Sequence, residues 1–146
     1  MSFTMQIIAC FFGTVFFCVL LNQPVKTMVY SGIIGTVGYV VYMVLNQSAV
    51  AYFFATLTIA ILSEIAARFF KKAATIYLVS ALIPIVPGIG LYRTMRYLVE
   101  DNTSMAVQVG IETLMGVCSI ALAITFCAII FANIPKFKRK ATHVCK

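Results

Sequence analysis

The sequence predicts an all-α integral membrane protein, a bundle of about five transmembrane helices of which the fourth is interrupted. Of the 146 residues, 62% are hydrophobic and only 10% are charged, whereas soluble domains carry about 25% charged residues. The apolar residues form runs long enough to cross a bilayer, and short polar or basic turns separate these runs. We expect the bundle to cover residues 1–134 and residues 135–146 to form a basic cytoplasmic tail.

The apolar runs predict five spans, and the second of them carries three glycines at intervals of three residues. The five predicted spans lie at about 3–21, 27–45, 49–69, 73–92 and 104–132. The first has no positive n-region, so we interpret it as a retained span and not as a signal peptide. In the second, Gly32, Gly35 and Gly38 are expected to pack helices, because small residues let helix backbones approach closely in lipid. A glycine face that lines a substrate path is the alternative.

The fourth span contains Pro84, Pro87, Gly88 and Gly90 within a run that carries no charge. A proline cannot donate a backbone hydrogen bond, and it biases the preceding residue away from the helical region. We therefore expect the helix to break at 84–90. In lipid, irregular backbone is tolerated only against protein or a polar cavity, and transporters bind substrates at such breaks. A proline kink with only a packing role is the alternative.

Two carboxylates fall inside predicted spans and are functional candidates, because a charge within a membrane is energetically expensive. Glu64 lies about one helical turn inside the third span, and Arg68 follows four residues later, so an interfacial ion pair is the alternative reading. Glu112 shares one helix face with Ser104, Gln108 and Gly116, which lie at intervals of four. That face predicts either a solute path or a polar helix end followed by a packing stripe.

The remaining composition argues against other classes of protein. The cysteines form no CxxC motif, and the single histidine lies in the basic tail, so we expect no metal site and no cofactor. The net charge of +7 comes from short clusters between apolar runs, which favours membrane orientation over nucleic-acid binding. Paired acids, HExxH and a serine–lysine arrangement are all missing from the sequence, so we do not expect an enzyme.

The broken span also carries a resemblance to a known family. The stretch from Ser80 to Arg93, with its Pro-x-x-Pro-Gly sequence at 84–88, resembles the signature of the threonine/serine exporter family. In length, span order and motif position, the chain is similar to the small membrane subunit of the family's split, two-component members. The resemblance implies a bacterial plasma-membrane exporter of small polar carboxylates, either threonine and serine or a dicarboxylate such as succinate. It also implies a larger homologous subunit as partner.

The resemblance and the residues together suggest roles for individual side chains. A small carboxylate suits the positive end of a half-helix that begins between Pro87 and Gly90. Arg93 can pair with a carboxylate through two parallel hydrogen bonds, and Tyr92 supplies a hydroxyl. Glu64 or Glu112 can carry a coupling proton. The alternative is a structural or assembly subunit in the bilayer without a substrate site of its own.

The charged turns predict the orientation of the chain. Three basic segments fall on one side of a five-span bundle, namely Lys26, the cluster Arg68, Lys71 and Lys72, and the tail. On the other side, the turn at 46–48 is uncharged, and Arg93 and Arg96 are balanced by Glu100 and Asp101. By the positive-inside rule, the N-terminus is outside and the C-terminus is cytoplasmic.

We predict that reporter domains fused after Lys72 and after Lys140 both report a cytoplasmic location, because both follow basic segments. Enzymatic reporters that are active on only one side of the membrane provide the measurement. A fusion after Asn46 is the control and should report the opposite side. Opposite locations for the Lys72 and Lys140 fusions would exclude the five-span arrangement.

Overall fold

The computed structural model describes residues 3–45 and 48–133. These residues form six α-helices and no strand: α1 Phe3–Leu20, α2 Val25–Val44, α3 Ala49–Phe70, α4 Ala74–Leu82, α5 Gly88–Val99 and α6 Thr103–Asn133. The predicted helical membrane bundle is confirmed, and its fourth apolar run forms the separate helices α4 and α5. The predicted basic tail, 135–146, lies outside the described residues.

Three of the described helices, α2, α3 and the greater part of α6, are long and apolar enough to cross a membrane, and α1 is a shorter apolar helix. The helices α1, α2 and α3 contain 18, 20 and 22 residues, close to the roughly 20 residues that span the hydrocarbon core. With 31 residues, α6 is roughly 46 Å long at 1.5 Å per residue. It therefore exceeds the other spans by about ten residues.

The turns between the helices are short and carry recognisable end signals. Asn22, Lys71 and Asp101 adopt positive φ angles of 52–55°, the left-handed conformation in which helices commonly end. Pro24 stands immediately before α2 in an extended conformation. At the start of α3, the Ser48 hydroxyl accepts a hydrogen bond from the Ala51 amide at 3.3 Å, which satisfies one of the free donors of the first turn.

Helix α2 occupies the centre of the bundle and contacts α1, α3 and α4. A methyl group added at Gly35 would lie 3.2 Å from the Thr14 hydroxyl of α1 and 3.3 Å from the Ala81 backbone of α4. At Gly38, an added methyl group would overlap Ile59 of α3. The absence of side chains at these positions therefore allows α2 to approach its neighbours closely, which is how helices associate in lipid.

The buried core lies where α2, α3 and α4 meet. Its largest fully buried side chain is Tyr77 of α4, and Ile85 from the segment that follows α4 belongs to the same cluster. The complete buried cluster is Ile34, Ala55, Ile59, Ala67, Tyr77, Ala81 and Ile85. Within the segment between α4 and α5, Ile85 is thus packed against protein, whereas Val86 is 52% exposed.

A side chain from the turn between α1 and α2 fastens α4 to the rest of the bundle. The Gln23 amide nitrogen donates hydrogen bonds to the Ile76 carbonyl at 3.1 Å and to the Ser80 hydroxyl at 2.6 Å. Ser80 is fully buried, and its hydroxyl also donates to the Ile76 carbonyl. These contacts connect residues more than fifty positions apart in the sequence and fix the position of α4.

The helices α5 and α6 form a hairpin that extends past the rest of the bundle. Among the helices, α5 packs against α6 alone, and none of its residues is buried. Gly90 lies against Thr113, and Thr94 lies against Gly110, so the two helices run antiparallel. Tyr52, in the first turn of α3, lies against Gly116. The first ten residues of α6 therefore precede the start of α3 and project roughly 15 Å beyond it.

We predict that Gly38→Ala lowers the free energy of unfolding by about 1–3 kcal/mol, the range of a methyl group forced into a packed core. The added methyl group overlaps the Ile59 side chain, which is fully buried, so the core must repack around it. Unfolding of the purified protein in detergent by heat or by a denaturing detergent provides the measurement.

The matched control is Gly13→Ala in α1, because a methyl group at Gly13 meets no atom within 4 Å. This variant should be neutral or stabilising by up to about 1 kcal/mol, the difference in helix propensity between glycine and alanine. Equal effects of the two substitutions would contradict the close packing at Gly38.

Candidate functional site

The segment 83–87 joins α4 to α5 through two tight turns. The Ile85 amide donates to the Leu82 carbonyl at 2.9 Å, and the Gly88 amide donates to the Val86 carbonyl at 2.7 Å. Pro87, between Val86 and Gly88, has φ −76° and ψ 56°, close to the geometry of an inverse γ-turn. The helix is therefore broken, because the regular bonds between residues four apart end at Val86 and a tighter turn follows before α5 begins.

The first turn of α5 presents backbone donors without partners. No side chain caps this helix at Pro87, and within the described residues the amides of Ile89 and Gly90 make no hydrogen bond. The Leu91 amide donates to the Pro87 carbonyl at 3.3 Å. Free amides at a helix N-terminus favour an anion, because the helix dipole places partial positive charge there.

Hydroxyl groups line the bundle near the break. The Tyr42 hydroxyl of α2 donates a hydrogen bond to the Tyr52 hydroxyl of α3 at 2.9 Å, and both rings pack on the core cluster that contains Ile85. Thr56 lies one turn after Tyr52, with 0% of its surface exposed and no partner for its hydroxyl. Tyr42 and Tyr52 therefore place polar groups of α2 and α3 beside the cluster that holds the broken segment.

The charged residues of α5 differ in their partners. Arg96 forms an ion pair with Glu100 at 2.8 Å, and this hydrogen bond raises the pKa of the arginine above its ordinary value. Arg93 has no ion-pair or hydrogen-bond partner in the described part of the chain. Tyr92 and Arg93 are both exposed. The guanidinium of Arg93 is therefore free to bind an anion.

Glu112 lies in the projecting part of α6, one residue before Thr113, which contacts Gly90. It is exposed and stands at about the level of Ser48, the residue that precedes α3. The register of the hairpin places Arg93 at about the same height, because Gly90 lies against Thr113 and Thr94 against Gly110. Glu112 thus lies at the edge of the bundle, where a carboxylate costs less free energy than at membrane depth.

Glu64 lies inside the bundle, in the opposite half. It lines a cavity of about 60 Å³ between α3, α4 and α6, together with Ala60, Ser63, Ala74, Leu78, Ile124, Cys127 and Ala128. The ion pair between Glu64 and Arg68 is not formed; among the described residues the one ion pair is Arg96–Glu100. The Arg68 guanidinium instead lies 5.0 Å from the centre of the Phe131 ring, within the range of a cation–π contact.

The sequence-predicted residues therefore fall into two groups, one around the start of α5 and the other at Glu64. Pro87, Gly88 and Gly90 lie at the start of α5, and the hairpin brings Arg93 and Glu112 close to the same level. Pro84 lies one turn earlier, at the end of α4. Glu64 is separated from Glu112 by about sixteen residues of helix, or roughly 24 Å along the bundle axis.

The comparison with known families gives the class of the protein. The chain matches the family described as Threonine/Serine exporter, ThrE, over residues 6–130. It belongs to the threonine/serine exporter family. The match covers all of the described helices except the ends of α1 and α6, so the broken segment and both candidate carboxylates lie inside the family region. No curated protein and no solved structure matches the chain.

Membership in the threonine/serine exporter family identifies the bundle as part of a membrane exporter. The sequence alone did not indicate a role for Tyr42, Tyr52, Thr56 and Ser63, four residues whose hydroxyl groups lie at least partly within the bundle. The spacing of Tyr52, Thr56 and Ser63 on α3 places them on one helix face. That periodicity was available in the sequence, but the contact between Tyr42 and Tyr52 depends on the packing of α2 against α3.

We predict that cysteines at Ile89 and Leu91 react rapidly with a small water-soluble thiol reagent, whereas a cysteine at Ile85 reacts slowly. Ile89 and Leu91 are 72% and 54% exposed, but Ile85 is 2% exposed. The variants are made without the native cysteines, and mass spectrometry follows labelling over time. Fast labelling at Ile85 would show that the break opens into water, and slow labelling at all three would show that lipid or another chain covers α5.

Proposed function

We propose that this chain is a subunit of a proton-coupled exporter of small polar carboxylates, and that it works with a larger homologous subunit. The supporting observation is the break at 83–87. It ends one helix of the bundle and begins another, in which the amides of Ile89 and Gly90 have no partner among the described residues. The substrates fitting this arrangement carry a carboxylate and further polar groups, such as threonine, serine or a dicarboxylate like succinate.

Binding of the carboxylate uses the start of α5 and one side chain. The amides of Ile89 and Gly90 offer hydrogen bonds, and the helix dipole favours the negative charge. Arg93 lies one turn further along and has no other partner among the described residues, so its planar guanidinium can hold both carboxylate oxygens. Tyr92 supplies a hydroxyl to the polar part of the substrate. Pro84 and Pro87 keep the backbone from closing into one helix.

Proton coupling uses the two carboxylates at different heights. Glu112 lies near the level of Arg93. A substrate carboxylate bound at Arg93 would therefore repel the Glu112 carboxylate, because two like charges at one site repel each other. Glu64 lies within the bundle next to a cavity. At that position it would carry the coupling proton inside the bundle. Glu112 and Glu64 lie in opposite halves of the bundle. An exporter exchanges substrate and proton at both sides of the membrane, so one carboxylate would serve each half.

A larger homologous subunit completes the site. Helix α5 contacts no helix other than α6 and has no buried residue, so one chain does not enclose a substrate. Large apolar side chains remain exposed on the hairpin, among them Ile89, Met95, Val99 and Ile111. A chain of five membrane segments also pairs with a second unit of opposite orientation, as in transporters built from inverted repeats.

We predict that Arg93→Lys lowers export of labelled threonine, serine or succinate about tenfold or more, because a point charge cannot reproduce a two-pronged guanidinium contact. Export is measured from cells or vesicles that contain this chain together with the larger subunit. Arg96→Lys is the matched control on the same helix and should change export less than about twofold, because that arginine is engaged by Glu100.

The chain expressed without the larger subunit should insert but not export. Full export by the chain alone would contradict the two-subunit proposal. If the Arg93 variants export normally in the complex, the alternative function follows, in which this chain is an assembly subunit and the substrate binds in its partner.

A further inference from the structure

Many serine and threonine hydroxyls on the described helices bond to their own backbone. In eight cases a serine or threonine donates to the carbonyl four residues earlier: Thr14, Thr36, Thr58, Ser80, Thr94, Thr113, Ser119 and Thr125. Among the described residues, three buried hydroxyls have no partner: Ser31, Thr56 and Ser63. A buried hydroxyl without a hydrogen bond costs about 1–3 kcal/mol, so each of the three requires an explanation.

Ser63 differs from the other two because it lines a cavity. Its side chain is 1% exposed, and the cavity that it shares with Glu64 and Cys127 measures about 60 Å³. One water molecule requires roughly 10–15 Å³ of such space and two or more polar partners. The cavity is therefore large enough for several waters, and Ser63 and Glu64 supply the partners. The rest of its lining is apolar except for the Cys127 thiol.

We propose that this cavity is a hydrated proton-holding site, in which Ser63 is a positioning residue that keeps water against the Glu64 carboxylate. Water bound there donates hydrogen bonds to the carboxylate while it is charged. When a proton from bulk solution reaches this water as hydronium, one O–H bond of the hydronium breaks and one O–H bond forms on the Glu64 carboxyl group. The carboxyl group then donates a hydrogen bond to the water that remains. The inference deepens the proton role given to Glu64 in the proposed function and rests on that role.

The surroundings of Glu64 favour a single exchangeable proton at this site. From α6 the one titratable group at the cavity is Cys127, and α4 contributes only Ala74 and Leu78. On α3 itself, Arg68 lies one turn away, but it is placed on the Phe131 ring and makes no ion pair with Glu64. Without a fixed cation beside it, the carboxylate depends on the water and on Ser63 for hydrogen bonds.

Infrared difference spectroscopy tests this inference on the full chain, reconstituted with the larger subunit in lipid vesicles and without substrate. Between high and low pH, the wild-type protein should show the carbonyl band of a newly protonated carboxyl group, and Glu64→Gln should remove it. Ser63→Ala should shift both this band and the pH at which it appears. Replacing the water by its oxygen-18 form should shift a band of confined water in the wild type but not in Ser63→Ala.

Two variants separate positioning by Ser63 from a general effect on the helix. Ser63→Thr keeps the hydroxyl and should restore the wild-type band, and Thr58→Ala removes a hydroxyl that is bonded to the Phe54 carbonyl and should change nothing. If Ser63→Ala does not insert, Ala60→Val narrows the cavity without removing a polar group and should also displace the water band.

Several results would overturn the inference. They are wild-type spectra for Ser63→Ala, a carboxyl band that survives Glu64→Gln, and a spectrum that responds to sodium and not to pH, which would assign the cavity to a metal cation. Because these spectra require no substrate, failure to export carboxylates would refute the proposed function and leave the hydrated site standing.

Discussion

The close packing of α2 against its neighbours is the interaction on which the rest of this structure depends. At Gly35 and Gly38 the helix presents no side chain, so α4 and α3 approach its backbone directly. In lipid no hydrophobic effect drives helices together, and dispersion contacts at such small residues replace it. The packing also holds Ile85 in the core cluster. Part of the irregular backbone at 83–87 is therefore covered by protein, which can satisfy it where lipid cannot.

The broken fourth segment gives the protein two parts with different physical surroundings. The helices α1 to α4 and the second two-thirds of α6 form a bundle of membrane length, and the hairpin of α5 with the start of α6 stands above it. Arg93 and Glu112 belong to the hairpin, whereas Glu64 belongs to the bundle. Arg93 and Glu112 are exposed, whereas Glu64 lines the small cavity that it shares with Ser63.

Much of this architecture could be predicted from the sequence because it depends on local rules. The apolar runs and turns gave the helices, and Pro84 and Pro87 gave the position of the break. The depth of Glu112 could not be predicted, because α6 is a continuous apolar helix and only its contacts with α3 and α5 reveal that its start lies beyond the bundle. The missing hydrogen bond of the Ser63 hydroxyl could not be predicted from the sequence either, because a serine in a helix ordinarily bonds to its own backbone.

The hydrogen bonds of Gln23 have a mechanical consequence. They fasten the half of the fourth segment before the break to the α1–α2 turn, while the half after the break is held by α6 alone. Because α6 also packs along α3, a movement of α5 relative to the bundle requires rotation about the few backbone bonds at 83–87 and leaves α4 and α6 in place. The γ-turn at Pro87 therefore has the construction of a hinge, with α4 on its fixed side and α5 on its movable side.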